Sequence, residues 1–348
     1  MKAMVLEGVR DYNLRDVPMP VCPPHGVLIK VMANGICRSD WHKWRGEYPN
    51  QKFPMILGHE MSGVVEQVGS QVTRFKVGDR IMVPVGGSEG TCDWCKAGHS
   101  NLCETYLVPG IGYNGGFAEY VAVPYADRNV EHLPDNVSFE VGAILSCRTI
   151  TGYRGVIETG DIRLGEYVAV YGCGGVGLAA VMTAHKCGAF VIAVDIKDEA
   201  LELAKTLGAD YIINAKNVNP VDEILSITKG NGVEAAVEAM GSYDTVNNAL
   251  ASLAKCGRLI QLGVTSAGPE GYVGVPIFNI VNKEKRILGS LSSPIQNYKR
   301  YLEVIGAGVV DPSPIITKTV CLSEVVDVFE AMDRDDIVGS YVVNDFTR

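Results

Sequence analysis

The sequence predicts an α/β protein of two domains, a β-rich one and a doubly wound parallel sheet. Three observations carry this reading. At 348 residues the chain has room for two hydrophobic cores. Up to about residue 147 it consists of short valine-rich runs broken by Gly and Pro, such as "GVLIKVMANGI", "GVVEQVG", "VGDRIMVPV" and "GFAEYVAVP", the texture of compact β structure. From about residue 150 short apolar runs alternate with amphipathic stretches of about a dozen residues, which is the rhythm of βαβ units.

In chain order, "EYVAVYG" (166–172) reads as a buried strand and residues 175–187 as a helix. "AFVIAVD" (189–195) is a second strand, followed by the helix "DEALELAKTLG" (198–208). "YIIN", "EAAVEAM" and "RLIQLGV" continue the series until Gly289. The tail offers a helix after Ser293, another in "LSEVVDVFEAMDR" and a last strand, "SYVVNDF". It is too small to fold alone and is expected to complete the first domain. The expected domains are therefore 1–148 with 291–348, and 149–290.

Composition narrows the function. Lys and Arg number 31 against 40 Asp and Glu, a net charge of −9, whereas a nucleic-acid partner needs a concentrated basic face. No run is apolar enough for a membrane span, and the N-terminal apolar run is broken by Glu7, which makes a poor signal peptide. Ten cysteines in such a chain read as metal ligands and buried thiols, and the expected compartment is the cytoplasm. Cys22, Cys173, Cys187, Cys256 and Cys321 are read as small buried hydrophobes.

After the strand "EYVAVY", the run Gly172-Cys173-Gly174-Gly175-Val176-Gly177 is G-x-G-x-x-G opening a helix, and Asp195 ends the next strand. That context makes a common pattern specific to dinucleotides. Gly172 permits the tight turn, Gly174 lets the backbone approach a pyrophosphate, and Gly177 lets helix and strand pack closely, with the helix N-terminus lending positive charge. A carboxylate at Asp195 accepts bonds from a ribose 2′-OH and repels a 2′-phosphate. The expected cofactor is NAD, with Lys197 nearby to soften that repulsion.

The front domain holds further chemistry. "GICRSDWH" supplies Cys37, Ser39, Asp40 and His42; "GHEMSGVVEQVGSQV" supplies His59 and Glu60 in the pattern G-H-E-x₂-G-x₅-G-x₂-V; "LSCRTITGY" supplies Cys147. With these motifs in this order before the dinucleotide fingerprint, the chain resembles the zinc-dependent medium-chain alcohol dehydrogenases over essentially its whole length. The resemblance implies a GroES-like catalytic domain beside a Rossmann domain, with the active site in the cleft between them. It implies a catalytic zinc on Cys37, His59 and Cys147 with a fourth position open, and two thiolates with one imidazole are a known catalytic zinc set. It implies that Ser39 and His42 carry the alcohol's proton outward, that Asp40 orients the His59 ring, and that Glu60 stands behind the metal as a transient ligand during exchange. Arg38 is implied at the pyrophosphate, Thr151, Val176 and Val264 at the nicotinamide, and Trp41 and Tyr48 at the substrate. The second phosphate-binding arginine that this family often carries in "G-R-V-V" is absent, since the chain reads Gly339-Ser340-Tyr341-Val342.

Members of this family often hold a structural zinc in a lobe, here about residues 86–104, through C-x₂-C-x₂-C-x₇-C. In register, Cys92, Cys95 and Cys103 keep three of the ligands, and the first falls on Glu89. A carboxylate can complete a tetrahedral site, and His99, within the loop, is the rival. Holding the lobe this way is worth roughly 10–16 kcal/mol of apparent binding free energy. The expectation is thus two zinc ions and NAD per chain, and reversible hydride transfer between NAD and a small alcohol or carbonyl substrate. The alternatives are a polyol, sugar-alcohol or threonine-type dehydrogenase on the same scaffold, or a NAD-binding redox sensor. The polyol branch commonly carries a glutamate where this chain has Cys147. The resemblance also implies a homotetramer, with a dimer next, joined through "VPIFNIVNKEKRILGS".

Overall fold

The computed structural model describes residues 1–48, 51–264 and 272–348. Its strands, in chain order, are β1 (Lys2–Gly8), β2 (Asp11–Asp16), β3 (Val27–Gly35), β4 (Glu60–Val68), β5 (Arg80–Val83), β6 (Tyr120–Val123) and β7 (Glu131–His132). Then follow β8 (Tyr167–Tyr171), β9 (Phe190–Asp195), β10 (Tyr211–Asn214), β11 (Val233–Glu238), β12 (Leu253–Gln261) and β13 (Arg286–Gly289). The tail adds β14 (Ile316–Cys321) and β15 (Ser340–Asp345). The chain forms two compact units, Met1–Ile150 with Ser292–Arg348, and Thr151–Leu291.

In the first unit one sheet runs β14-β15-β3-β4-β5-β7, with β6 also paired to β3. The β3–β4 register sets Gly35 opposite Glu60. The tail thus adds two strands to this sheet, and β15 pairs with β3 at Val342↔Gly35. Val27, Ile29 and Val31, alternate residues of β3, enter the core, as the two-residue period of a strand requires. Phe329, from the helix Val325–Asp333, stacks on Tyr12 at 6.0 Å in the same core. The hairpin β1–β2 was not expected from the sequence. Its turn uses Arg10 at φ 59°, a left-handed position that Gly or Asn would have signalled.

The second unit is a six-stranded parallel sheet in the order β10-β9-β8-β11-β12-β13. Strand order reverses between β8 and β11, where such sheets bind ligands at their carboxyl ends. The helix Gly175–Lys186 follows β8 directly. A Cβ on Gly177 would overlap the carbonyl oxygen of Gly172, so this glycine is demanded by helix–strand packing. No helix among the described residues is long and apolar enough to cross a membrane.

Candidate functional site

β3 ends at Gly35, and two residues later Cys37 caps the short helix Arg38–Trp44. His59 immediately precedes β4 and Glu60 begins it. Cys147 lies on the helical turn Leu145–Thr149. Far apart in sequence, Cys37, His59, Glu60 and Cys147 each bring a ligand atom within 4.8 Å of the others. His59 and Glu60 are almost wholly buried.

Partners orient this group. His59 Nδ1 meets Asp40 Oδ1 at 3.0 Å, and the same oxygen accepts the Gly58 N–H at 3.1 Å. With Nδ1 committed to Asp40, Nε2 is the nitrogen left for a metal. Burial works against the imidazolium, yet Asp40 and the Cys37 thiolate outweigh it and raise the His59 pKa to about 10 in the metal-free protein. A hydrogen bond from Cys147 holds the Cys37 thiol well below its ordinary range. Two thiols and an oriented imidazole suit a thiophilic divalent metal.

Two cations beside this group were not singled out from the sequence. Arg148, 5% exposed, donates to both Glu60 carboxylate oxygens at 2.8–3.0 Å. Lys43 is buried, donates to the Gly110 carbonyl at 3.2 Å, and burial lowers its pKa. A signal for Arg148 was present: it is the one charged residue in the run "VGAILSCRTI", and a buried charge needs a partner.

Ser39 Oγ lies 3.8 Å from the Cys37 sulfur and also interacts with the phenol of Tyr48, a partly exposed side chain. His42 Nδ1 is 2.5 Å from Glu47 Oε2. Trp41 is buried in the hydrophobic core and its indole N–H donates to Asp333 at 2.9 Å. Arg38 pairs with Asp335 at 2.9 Å.

Among the described residues one other group has metal-ligand spacing, the sulfurs of Cys92, Cys95 and Cys103. Cys92 caps the turn Asp93–Lys96, and Cys103 closes the turn Ser100–Leu102. Neither Glu89 nor His99 joins it within the same 4.8 Å. Ser88 is pinned by Asn129 at 2.9 Å and by Arg128 at 2.7 Å, and its side chain, not that of Glu89, reaches Cys95. His99 instead packs edge-on against Trp94.

In the second unit, Asp195 Oδ2 accepts the Cys173 N–H at 2.6 Å, and Oδ1 accepts the Ile196 and Lys197 N–H groups at 2.7 and 3.1 Å. The acidic residue and the Gly-rich turn are thus tied together. Gly174 stands before the helix N-terminus at φ −76°, where no side chain caps it. A Cβ on Gly174 would meet nothing within 4 Å. Neither backbone conformation nor packing requires this glycine, and the open space beside it leaves the backbone accessible to an external group. Val176 and Thr151 are half-buried and Val264 is 74% exposed.

Comparison with known proteins gives consistent results. Residues 23–135 match the alcohol dehydrogenase GroES-like domain, and residues 175–307 the zinc-binding dehydrogenase domain. An alcohol dehydrogenase of Geobacillus stearothermophilus is 36% identical over 99% of both chains. An NAD-dependent alcohol dehydrogenase of Sulfurisphaera tokodaii is 33% identical over 99% of both chains. The structure of the alcohol dehydrogenase TADH from Thermus sp. ATN1 superposes with a TM-score of 0.91 at 32% identity, covering 99% of this chain and 100% of that one.

Proposed function

Because the chain belongs to the zinc-dependent medium-chain alcohol dehydrogenases, we propose that Cys37, His59 and Cys147 hold a catalytic zinc and that the turn Gly172–Gly177 holds NAD. The reaction is reversible hydride transfer between a primary or secondary alcohol and NAD. The observation that carries this reading is the gathering of two thiols with an imidazole whose Nδ1 is engaged by buried Asp40.

Zinc, when bound, supplies Lewis acidity toward a hydroxyl or carbonyl oxygen, and NAD supplies the hydride acceptor. The chain's own residues do the rest. Asp40 fixes the His59 ring. Ser39 takes the alcohol's proton and His42 passes it to solvent, with Glu47 holding the Nδ1 side of that ring. Tyr48, against Ser39, borders the substrate. The uncapped N–H groups after Gly174 receive the pyrophosphate and Gly175 opens that helix; Asp195 receives the ribose hydroxyls beside Lys197; Thr151, Val176 and Val264 pack against the nicotinamide. The test is NADH formation from NAD with short primary, secondary, aromatic, allylic and polyol substrates, before and after zinc removal. Turnover that disappears with zinc and returns on its addition is expected. A zinc-replete, NAD-binding chain inert toward every alcohol would overturn the reading.

The sulfurs of Cys92, Cys95 and Cys103 fit a second, structural zinc, and its fourth ligand is Glu89, by register with the family's motif. Self-association, as a tetramer with a dimer next, has a candidate contact at the second unit's edge. There, among the described residues, β13 pairs on one side only, and Ile277, Phe278 and Val281 are 62%, 83% and 72% exposed. Light scattering tests it, with a monomer as the overturning result. Ten cysteines with no disulfide among the described residues suit a reducing compartment such as the cytoplasm.

A further inference from the structure

The Glu60 carboxylate sits within 4.8 Å of the three ligand atoms proposed for the catalytic zinc, so four protein donors stand where an enzyme site needs three and an open position. What keeps the fourth away is visible. Arg148 grips Glu60 through Nε at 3.0 and 2.8 Å and through Nη2 at 2.6 Å. The guanidinium is itself fixed, Nη1 donating to Ser340 Oγ at 2.6 Å and Nη2 to the Ile36 carbonyl at 2.8 Å. Opposite Glu60 in the sheet stands Gly35, and a Cβ there would overlap Glu60 Oε2. The carboxylate therefore has a built cradle: a missing side chain on one flank and an anchored cation on the other. Ser340, the residue that stands in place of an arginine in "G-R-V-V", is one wall of it.

We propose that Arg148 is a positioning residue that latches Glu60 in the Gly35–Ser340 cradle and so keeps the fourth metal position open. This rests on the ligand set proposed above. A buried carboxylate deprived of its cation carries a large desolvation cost, and a metal held by the three ligand atoms within 4.8 Å of it would supply a compensating charge. Weakening the latch therefore converts an open three-ligand site into a closed four-ligand one.

The test uses full-length protein with cobalt(II) in place of zinc, whose visible spectrum reports coordination, titrated with imidazole as an external ligand. Release of zinc to a chromophoric chelator is followed in parallel. Wild-type protein should respond to imidazole. Arg148→Gln and Gly35→Ala should lose the response and release zinc at least about tenfold more slowly, in keeping with the weight of neighbouring groups on metal affinity. Ser340→Ala should fall between. Adding Glu60→Gln to either variant should restore both readouts, which separates a latch from general damage to the fold. An Arg148→Gln or Gly35→Ala protein that keeps the wild-type response would overturn the proposal. So would a double variant that stays unresponsive. A Cys147→Ser protein with an unchanged cobalt spectrum would instead overturn the ligand set, and the latch with it.

Discussion

His59 and Asp40 form a buried pair, joined from Nδ1 to Oδ1 at 3.0 Å, and the Gly58 N–H on the same oxygen stops the carboxylate from swinging away. Their proximity follows from the helix Arg38–Trp44, which carries Asp40 one turn from Cys37, and from the loop that delivers His59 to β4. Asp40→Asn preserves shape and removes charge, so the ring loses its strongest reason to keep the proton on Nδ1. Zinc affinity, measured by competition with a chelator, should weaken about 10–100-fold. An unchanged dissociation constant would show that Asp40 merely fills space.

The proposed proton route makes a separate demand. Ser39 lies beside Cys37 and Tyr48, while His42 is farther out against Glu47. Ser39→Ala should lower kcat for alcohol oxidation by about 10²–10⁴, the usual worth of a positioned proton carrier. His42→Ala should cost less and be rescued by imidazole in the buffer, because a diffusible base can replace the outer carrier but not the inner hydroxyl. A His42→Ala enzyme with wild-type kcat and no response to imidazole would remove His42 from the route.

Legibility in the sequence followed the separation of the partners. The dinucleotide turn was readable because strand, glycines and helix are contiguous, and the six-stranded sheet because each βα unit repeats the same short rhythm. The front domain was harder. Arg148 was passed over because its partner Glu60 is 88 positions away, and nothing local announces the pair. The indole partner of Trp41, Asp333, lies 292 positions on, and nothing near Trp41 signals it. The strand Ile316–Cys321 alternates too weakly to stand out, with only Val320 buried. It forms because β15 offers a parallel edge.

Asp195 anchors the Gly-rich turn through Cys173 N–H and, in the proposed function, also receives the ribose. Asp195→Gly should therefore lower kcat/KM with NAD and raise the NADP-to-NAD ratio of kcat/KM, since the carboxylate that repels a 2′-phosphate is gone. The loosened turn should also weaken binding of the portion common to both cofactors, so absolute efficiency with NADP stays below that of the wild type with NAD. Steady-state kinetics with both cofactors checks this. An unchanged ratio would mean that Asp195 serves the turn alone.

The three-cysteine lobe is tested by the acidity of its thiols. The Glu104 and Cys95 N–H groups donate to the Cys92 sulfur and bring its pKa down to about 7, while burial raises that of Cys95. The thiolate is the form that reacts with an alkylating agent, and its share grows as pH rises through the pKa. In chelator-treated protein Cys92 should be alkylated first, with a rate half-maximal near pH 7, as read by peptide mass spectrometry. Zinc should slow the reaction strongly, because the metal draws charge from the coordinated sulfur and the closed site shields it. Glu89→Ala should then reduce zinc from two ions to one per chain, lower the Tm and expose Cys92 even without chelator. If Glu89→Ala retains both ions and its Tm while His99→Ala loses one, the fourth ligand is His99. Equal alkylation of Cys92 with and without zinc would mean that the lobe holds no metal.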